Sequence, residues 1–281
     1  MAARATLDLA RPVNCAMIGF AVVIGYFVSK PASVSPLQLA LGFLTGFLVC
    51  AYSMAVNDAY DVEVDRVNRP ERPIPSGRLT IGGAHRLAAG LLLAGVACSV
   101  LSLDPWAVAI ALVYALLSWF YNSSAKKTGL PGNAIVASSL AIPFIYGGVV
   151  SGGSLTGSLL IMMALTSFFA GVGREVVKGM ADVKGDPKRG VRTVAMSMGP
   201  RGAAAVGAAF FAAAIVTSWV PLLTGLANQV YTLGVVVPDA IFAYLAASIL
   251  LDSTPTNAYR VKKVALAGMT VGLLVFIGGA Y

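Results

Sequence analysis

Residues 37–65, LQLALGFLTGFLVCAYSMAVNDAYDVEVD, join a long apolar run to a short acidic one. Residues 37–56 carry no charged side chain, and a helix of about 20 apolar residues spans a bilayer. Asn57, Asp61 and Asp65 then follow at steps of four residues. Because four residues turn an α-helix by about 400°, the three side chains stay on one face. The stretch predicts a membrane helix that ends in a stack of polar and acidic side chains.

Composition extends this prediction to the whole chain. Of the 281 residues, 58% are hydrophobic and 11% are charged, whereas soluble domains average roughly 25% charged residues. We therefore expect an all-α, polytopic membrane protein, a single domain over 1–281 with about nine transmembrane helices around a central cavity that opens to the cytoplasmic side. The apolar stretches are 13–28, 37–56, 87–103, 106–121, 134–150, 155–173, 203–226, 231–251 and 264–281.

The distribution of basic residues predicts the orientation. With nine spans and a cytoplasmic N-terminus, 19 of the 20 lysines and arginines lie in cytoplasmic segments, and only Lys30 lies outside. This is the bias that positive-inside insertion produces. It also accounts for most of the net charge of +8, so nucleic-acid binding is a poor explanation for that charge. We expect a multi-pass protein of the cell membrane.

Two long cytoplasmic connections interrupt the otherwise short loops, at about 57–86 and 174–202. The second connection contains another acidic pair at the same spacing, Asp182-x3-Asp186. The connections follow the second and sixth spans, which suggests two pseudo-repeated four-helix halves plus a last helix. Such a repeat would bring the two acidic stacks to face each other across the cavity.

Stacked like charges repel, so two acidic stacks that meet need a cation between them. Oxygen ligands of this kind suit Mg²⁺ better than zinc. Ionisation of an allylic diphosphate uses this arrangement, because Mg²⁺ bridges carboxylates to the leaving group while arginine and lysine neutralise the developing charge. The isoprenoid tail would lie in the apolar interior, and we expect the acidic side of the cavity to be the active site.

The acidic segments resemble the two signatures of the UbiA superfamily of intramembrane prenyltransferases. The first is NDAYDVEVDRVN at 57–68, followed by RPIPSG at 72–77, and the second is Asp182-x3-Asp186-x3-Gly190-x2-Thr193. The resemblance covers essentially the whole chain, including RPVN at 11–14 and Tyr121 with Lys126 and Lys127 after the fourth span.

Within the superfamily, REVVK at 174–178 resembles the archaeal digeranylgeranylglyceryl phosphate synthases. The resemblance implies Mg²⁺-dependent transfer of a geranylgeranyl group from its diphosphate to geranylgeranylglyceryl phosphate, which forms the second ether bond of archaeal membrane lipids. An aromatic acceptor, such as 4-hydroxybenzoate or another quinone precursor, remains the alternative. The expected partners are a prenyl diphosphate, a lipid or aromatic acceptor and membrane lipid, with no obligate protein partner evident.

The resemblance and the spacing together assign roles. Asn57, Asp61 and Asp65 are expected on one Mg²⁺, and Asp182 and Asp186 on a second. The expected diphosphate contacts are Arg72, Lys126 and Lys127. Lys178 is expected to bind phosphate or to balance the aspartates, Arg174 and Arg11 to bind the acceptor phosphate, Asn14 to line the cavity, and Tyr121 to lie near the carbocation or to anchor at the interface.

Other acidic residues are expected outside this chemistry. Asp58, Glu63 and Glu71 fall off the four-residue face and are interpreted as surface charges or partners of the ligands, and Asp239 as a helix N-cap. A divalent-cation transporter is the remote alternative, but its carboxylates should lie at mid-span, whereas these lie at span ends.

Overall fold

The computed structural model describes residues 2–152, 158–182 and 193–279, and within these ranges it contains helices and no β-strand. The predicted all-α class is confirmed. The helices are α1 (Ala2–Ala10), α2 (Pro12–Val28), α3 (Pro36–Tyr60), α4 (Val62–Asn68), α5 (Ile81–Leu101), α6 (Pro105–Ser123), α7 (Leu130–Val150), α8 (Ser158–Ala181), α9 (Val194–Leu223), α10 (Gln229–Leu251) and α11 (Pro255–Gly279), with a 3₁₀ turn at Ala125–Lys127 between α6 and α7.

Eight of the described helices, α3 and α5 to α11, are long and apolar enough to cross a membrane. A ninth span arises if α2 is joined to Arg4–Ala10, from which it is bent by 48°. Arg11 lies at this bend with left-handed backbone angles, φ 50° and ψ 63°. The following Pro12 disfavours the right-handed helical conformation at Arg11, so α1 ends there and α2 begins. A polytopic protein of about nine spans is confirmed.

Several helices extend beyond their apolar stretches. The expected sixth span stops at Gly173, but α8 continues to Ala181, and α11 begins at Pro255, nine residues before the expected start of the last span. Hydropathy marks where side chains leave the hydrocarbon, whereas backbone hydrogen bonds continue until a cap or a proline ends the helix. Arg174 and Lys178, expected in a loop, therefore lie on a rigid helix.

The helices form two groups, each around its own core. Buried side chains of α1, α3, α5 and α6 form one core, and those of α8, α9, α10 and α11 form another. Helices α2 and α7 pack together between the groups, and a Cβ atom at Gly25 or Gly147 would lie 2.1 or 2.0 Å from a backbone oxygen of the opposite helix. Only glycine permits this approach. At one end of the bundle, the C-terminal ends of α3 and α6 contact each other, and the residue that follows α8 contacts the N-terminal part of α11.

Candidate active site

A cavity of about 350 Å³ opens among α2, α3, α6, α7, α8 and α11. This volume falls within the range of roughly 300–1,000 Å³ that small-molecule sites occupy. The cavity is apolar toward the middle of the bundle and polar at the end where α3, α6 and α8 terminate. Its polar lining includes Arg11, Asn14, Asn57, Tyr121, Asn122, Arg174 and Lys178.

The first acidic segment continues this polar end. Asn57 lies in the last turn of α3, and Asp61 caps that helix by donating its backbone N–H to the carbonyl oxygen of Asn57, at 3.0 Å. Lys126 in the 3₁₀ turn donates to both carboxylate oxygens of Asp61. Because only about a fifth of either side chain is exposed (19% for Asp61 and 20% for Lys126), water screens this ion pair weakly.

Asp65 and Asp58 form a second ion-pair group beside the first. Arg72 donates to Asp65 and, at 3.2 Å, to Asp58. Arg11 also donates to Asp58, whose side chain is 4% exposed. Asp58 is therefore not a surface charge, as one of the two interpretations held, but the buried link between the bend at Arg11 and the loop that carries Arg72. Glu63 is exposed and pairs with Arg66.

The cations of α8 are held by a carboxylate that the sequence analysis did not assign. Glu175 is 6% exposed in its side chain, and its two oxygens accept from Arg174 at 2.7 Å and from Lys178 at 2.8 Å. Both cations line the cavity. Spacing gave no signal for Glu175, because it is adjacent to Arg174 and off the acidic face, and only burial identifies it.

The second acidic segment is described only at its start. Asp182 follows the last turn of α8 and accepts from Lys262 of α11 at 3.3 Å. Lys262 also lies 4.8 Å from the ring centre of Tyr259. Asp186 lies outside the described residues. Lys262 was missed because its basic neighbours, Arg260 and Lys263, gave it only a role in membrane orientation.

The described site residues thus have four kinds of position: an exposed turn, the cavity lining, an ion-paired rim and a contact with α11. The structure places Lys127 exposed on its turn, beside the buried Ala125. The cavity lining contains Arg11, Asn14, Asn57, Tyr121, Arg174 and Lys178; the ion-paired rim contains Asp61, Asp65, Arg72 and Lys126; and Asp182 pairs with α11.

The donor atoms at the rim fit a hard divalent cation. They are amide and carboxylate oxygens, the ligands that Mg²⁺ takes in proteins, rather than the thiolates and imidazoles of a structural zinc site. Among the described residues, no three Asp, Glu, His or Cys side chains converge on one point. Asp61 and Asp65 instead each contact a cation from another segment.

A second, apolar cavity of about 100 Å³ continues from the first into the bundle. The two cavities share Met17, Ile18, Leu140, Leu266 and Met269 in their linings. At the far end, Asp239 is buried inside α10 and accepts the hydroxyl hydrogen of Ser218 at 2.8 Å. Asn228 is the N-cap of α10, so the interpretation of Asp239 as a helix cap was wrong.

This helical bundle, with its acidic helix ends around a cavity, is the fold of a known family of membrane enzymes. The model of the UbiA prenyltransferase family matches residues 18–273. The chain therefore belongs to the UbiA prenyltransferase family and is an intramembrane prenyltransferase.

Individual relatives show which members of this family the chain is similar to. A digeranylgeranylglyceryl phosphate synthase of Archaeoglobus fulgidus is 36% identical over 282 residues, which covers 99% of this chain and 96% of the relative. A solved structure of a digeranylgeranylglyceryl phosphate synthase in membranes has a TM-score of 0.82 at 31% identity, and covers 99% of this chain and 98% of that one. A UbiA homologue from Archaeoglobus fulgidus bound to DMAPP and Mg²⁺ has a TM-score of 0.68 at 17% identity over 96% of this chain and 98% of that one, which shows a common fold.

Proposed function

We propose that the protein transfers a geranylgeranyl group from geranylgeranyl diphosphate to the free hydroxyl of geranylgeranylglyceryl phosphate. The full-length similarity to digeranylgeranylglyceryl phosphate synthases supports this reaction. The bond between the first prenyl carbon and the diphosphate oxygen breaks, and the diphosphate leaves with the electron pair. The acceptor oxygen then bonds to that carbon, and its proton passes to a carboxylate or to diphosphate.

The observation that carries the proposal is the presence of two separate groups of cations. Lys126 and Arg72 lie on the carboxylates of the rim, whereas Arg11, Arg174 and Lys178 line the cavity. The substrate pair has two phosphate-bearing ends, one diphosphate and one glycerol phosphate. The positive charges of the two groups complement the negative charges of these two ends, and an arginine fork matches the geometry of phosphate oxygens. An aromatic acceptor with a single carboxylate would need fewer cations in the cavity.

The metal ligands remain a proposal on this chain. Asn57, Asp61 and Asp65 would hold one Mg²⁺, and Asp182 and Asp186 a second; the solved homologue with Mg²⁺ supports divalent metal use. When bound, Mg²⁺ neutralises charge on the leaving diphosphate. Arg72 and Lys126 already lie beside these carboxylates, and we assign them, with Lys127, to the diphosphate.

The proposed roles of the remaining residues follow from their positions in the structure. The apolar second cavity continues from the polar one and accommodates the prenyl tail. Tyr121 lines the polar cavity, where its ring face would stabilise positive charge on the prenyl carbon. Asn14, in the first turn of α2, would bind polar atoms of the acceptor. The basic residues of the loops support a cytoplasmic position for the site and the N-terminus.

The proposal is tested by offering purified protein radiolabelled geranylgeranyl diphosphate and Mg²⁺, with geranylgeranylglyceryl phosphate and 4-hydroxybenzoate in parallel reactions. We expect product with the glycerol phosphate alone, and EDTA should stop the reaction. Arg174→Ala should raise the KM for the glycerol phosphate more than the KM for the diphosphate. Product with the aromatic alone would move the protein to the quinone branch, and metal movement across vesicles without transfer would favour a transporter.

A further inference from the structure

Three polar pairs connect α3 to α6 and to the turn that follows it. Ser118 donates to Ser53 at 2.7 Å, Asn57 donates to Asn122 at 2.8 Å, and Lys126 donates to Asp61. Each pair is separated by 65 residues in sequence. We call these three pairs the polar ladder.

The constant separation defines the geometry of the ladder. Helices that run antiparallel show pairs whose residue numbers have a constant sum, whereas a constant difference requires parallel helices in one register. The first two rungs are four residues apart on both helices, so they occupy one face of each helix, and Asp61 and Lys126 continue the spacing just beyond the two helix ends. A slip by a single residue would break all three rungs together. The polar ladder therefore fixes the end of α3 against the end of α6.

The middle rung also fixes the orientation of an amide group. The Nδ2 atom of Asn122 donates to the backbone carbonyl oxygen of Ser118 at 2.9 Å, and that carbonyl can only accept. The Oδ1 atom of Asn122 must then face Asn57, which in turn must present its own Nδ2. Since Asn122 is 7% exposed, water offers little competition for these bonds. The remaining end of the Asn57 amide is its oxygen, the atom that a cation binds.

We propose that Asn122 is a positioning residue for the metal site. It holds the amide of Asn57 so that Oδ1, and not the Nδ2 hydrogens, faces the cation next to Asp61. The inference rests on the proposed assignment of Asn57 as a Mg²⁺ ligand. It adds that a residue which is not itself a metal ligand sets the metal affinity, as hydrogen-bond partners of metal ligands do elsewhere.

The test compares one substitution in two backgrounds. Asn122→Leu removes the acceptor and lets the Asn57 amide rotate. A carboxylate at position 57 has an oxygen at both ends, so in the Asn57→Asp background orientation no longer matters. We expect Asn122→Leu to weaken Mn²⁺ binding roughly tenfold or more in the parent protein, and less than about twofold in the Asn57→Asp background. Binding is measured by electron paramagnetic resonance of Mn²⁺ with inorganic diphosphate present, without turnover.

Asn228→Leu is the matched control. Like Asn122, Asn228 donates Nδ2 to a backbone carbonyl oxygen. Its Oδ1 accepts from a backbone N–H at the start of α10, away from the proposed metal site. The Asn228→Leu substitution should lower the thermal unfolding midpoint and leave Mn²⁺ affinity unchanged. Asn122→Ala replaces Asn122→Leu where the leucine variant does not fold. Equal weakening in both backgrounds, or none in either, would overturn the role of Asn122 while the parent protein still binds Mn²⁺. No Mn²⁺ binding by the parent would instead overturn the proposed function.

Discussion

The two acidic segments differ in how the rest of the chain holds them. The first segment is surrounded by cations from three other places: the bend at Arg11, the loop at Arg72 and the turn at Lys126. The second, where it is described, contacts Lys262 of α11 at 3.3 Å, and the side chain of Asp182 is 42% exposed. The same carboxylate spacing therefore lies in two electrostatic environments, of which the first is the more buried.

The difference suggests a division of work. A buried ion pair with good geometry is held in place, because separating the partners leaves each with an unpaired buried charge. An exposed ion pair contributes little to stability. The first segment is thus preorganised by the fold, whereas Asp182, the described start of the second segment, is held less firmly. Glu175, seven residues before Asp182, is a buried carboxylate, and it accepts from Arg174 and Lys178, which line the cavity.

The largest expected effect is the loss of a carboxylate charge in either segment. Asp61→Asn and Asp182→Asn should each lower the rate of prenyl transfer by roughly 10²–10³-fold or more, because each removes a proposed ligand of the Mg²⁺ that would neutralise the leaving diphosphate. Transfer is measured with radiolabelled geranylgeranyl diphosphate at saturating Mg²⁺. Glu63→Gln, at an exposed carboxylate in the same stretch, is the control and should retain activity. Full activity of both Asp variants would contradict the assignment of Asp61 and Asp182 as Mg²⁺ ligands.

An intermediate effect is expected on the KM for geranylgeranyl diphosphate, and it should differ between the two acidic segments. Lys126→Met should raise the KM for geranylgeranyl diphosphate about ten- to a hundredfold, the equivalent of a charged hydrogen bond worth roughly 1.5–3 kcal/mol. Lys262→Met should raise this KM less than about fivefold, because the Lys262 pair is longer, at 3.3 Å, and its partner Asp182 is 42% exposed, so the pair is worth at most about 1 kcal/mol. Steady-state kinetics of the two variants measures both KM values. A similar increase in both would mean that the two segments bind the diphosphate equally.

The smallest effect concerns the bend that carries Arg11. Arg11→Ala and Arg11→Gly both remove the guanidinium that pairs with Asp58 and that is expected to bind the acceptor phosphate, so both should lose acceptor affinity to the same extent. Only glycine adopts the left-handed angles of this position without steric cost, which is about 1–2 kcal/mol for other residues. The glycine variant should therefore have the higher thermal unfolding midpoint. An alanine variant of equal or greater stability would show that the bend relaxes when the ion pair is removed.

Some of the site was predictable from the sequence and some was not. Asn57, Asp61 and Asp182 could be proposed as site residues because a repeat of four residues at the end of an apolar helix is a local pattern, and their role stays a prediction. Asn122 and Lys262 were missed because their partners lie 65 and 80 residues away, which no local spacing encodes. Glu175 was missed because only its burial distinguishes it from a surface carboxylate. The internal repeat of two four-helix halves and the cytoplasmic opening of the cavity remain predictions.

The sequence by itself determined the all-helical membrane fold, the family and the positions of the acidic segments. These depend on hydropathy and on helical periodicity, which are properties of neighbouring residues. Only the tertiary structure decided that Asp58 is buried between two arginines, that Asp239 lies inside a helix, and that the polar ladder joins α3 to α6. Burial and hydrogen bonding depend on which helix faces meet, and that is settled when the whole bundle packs.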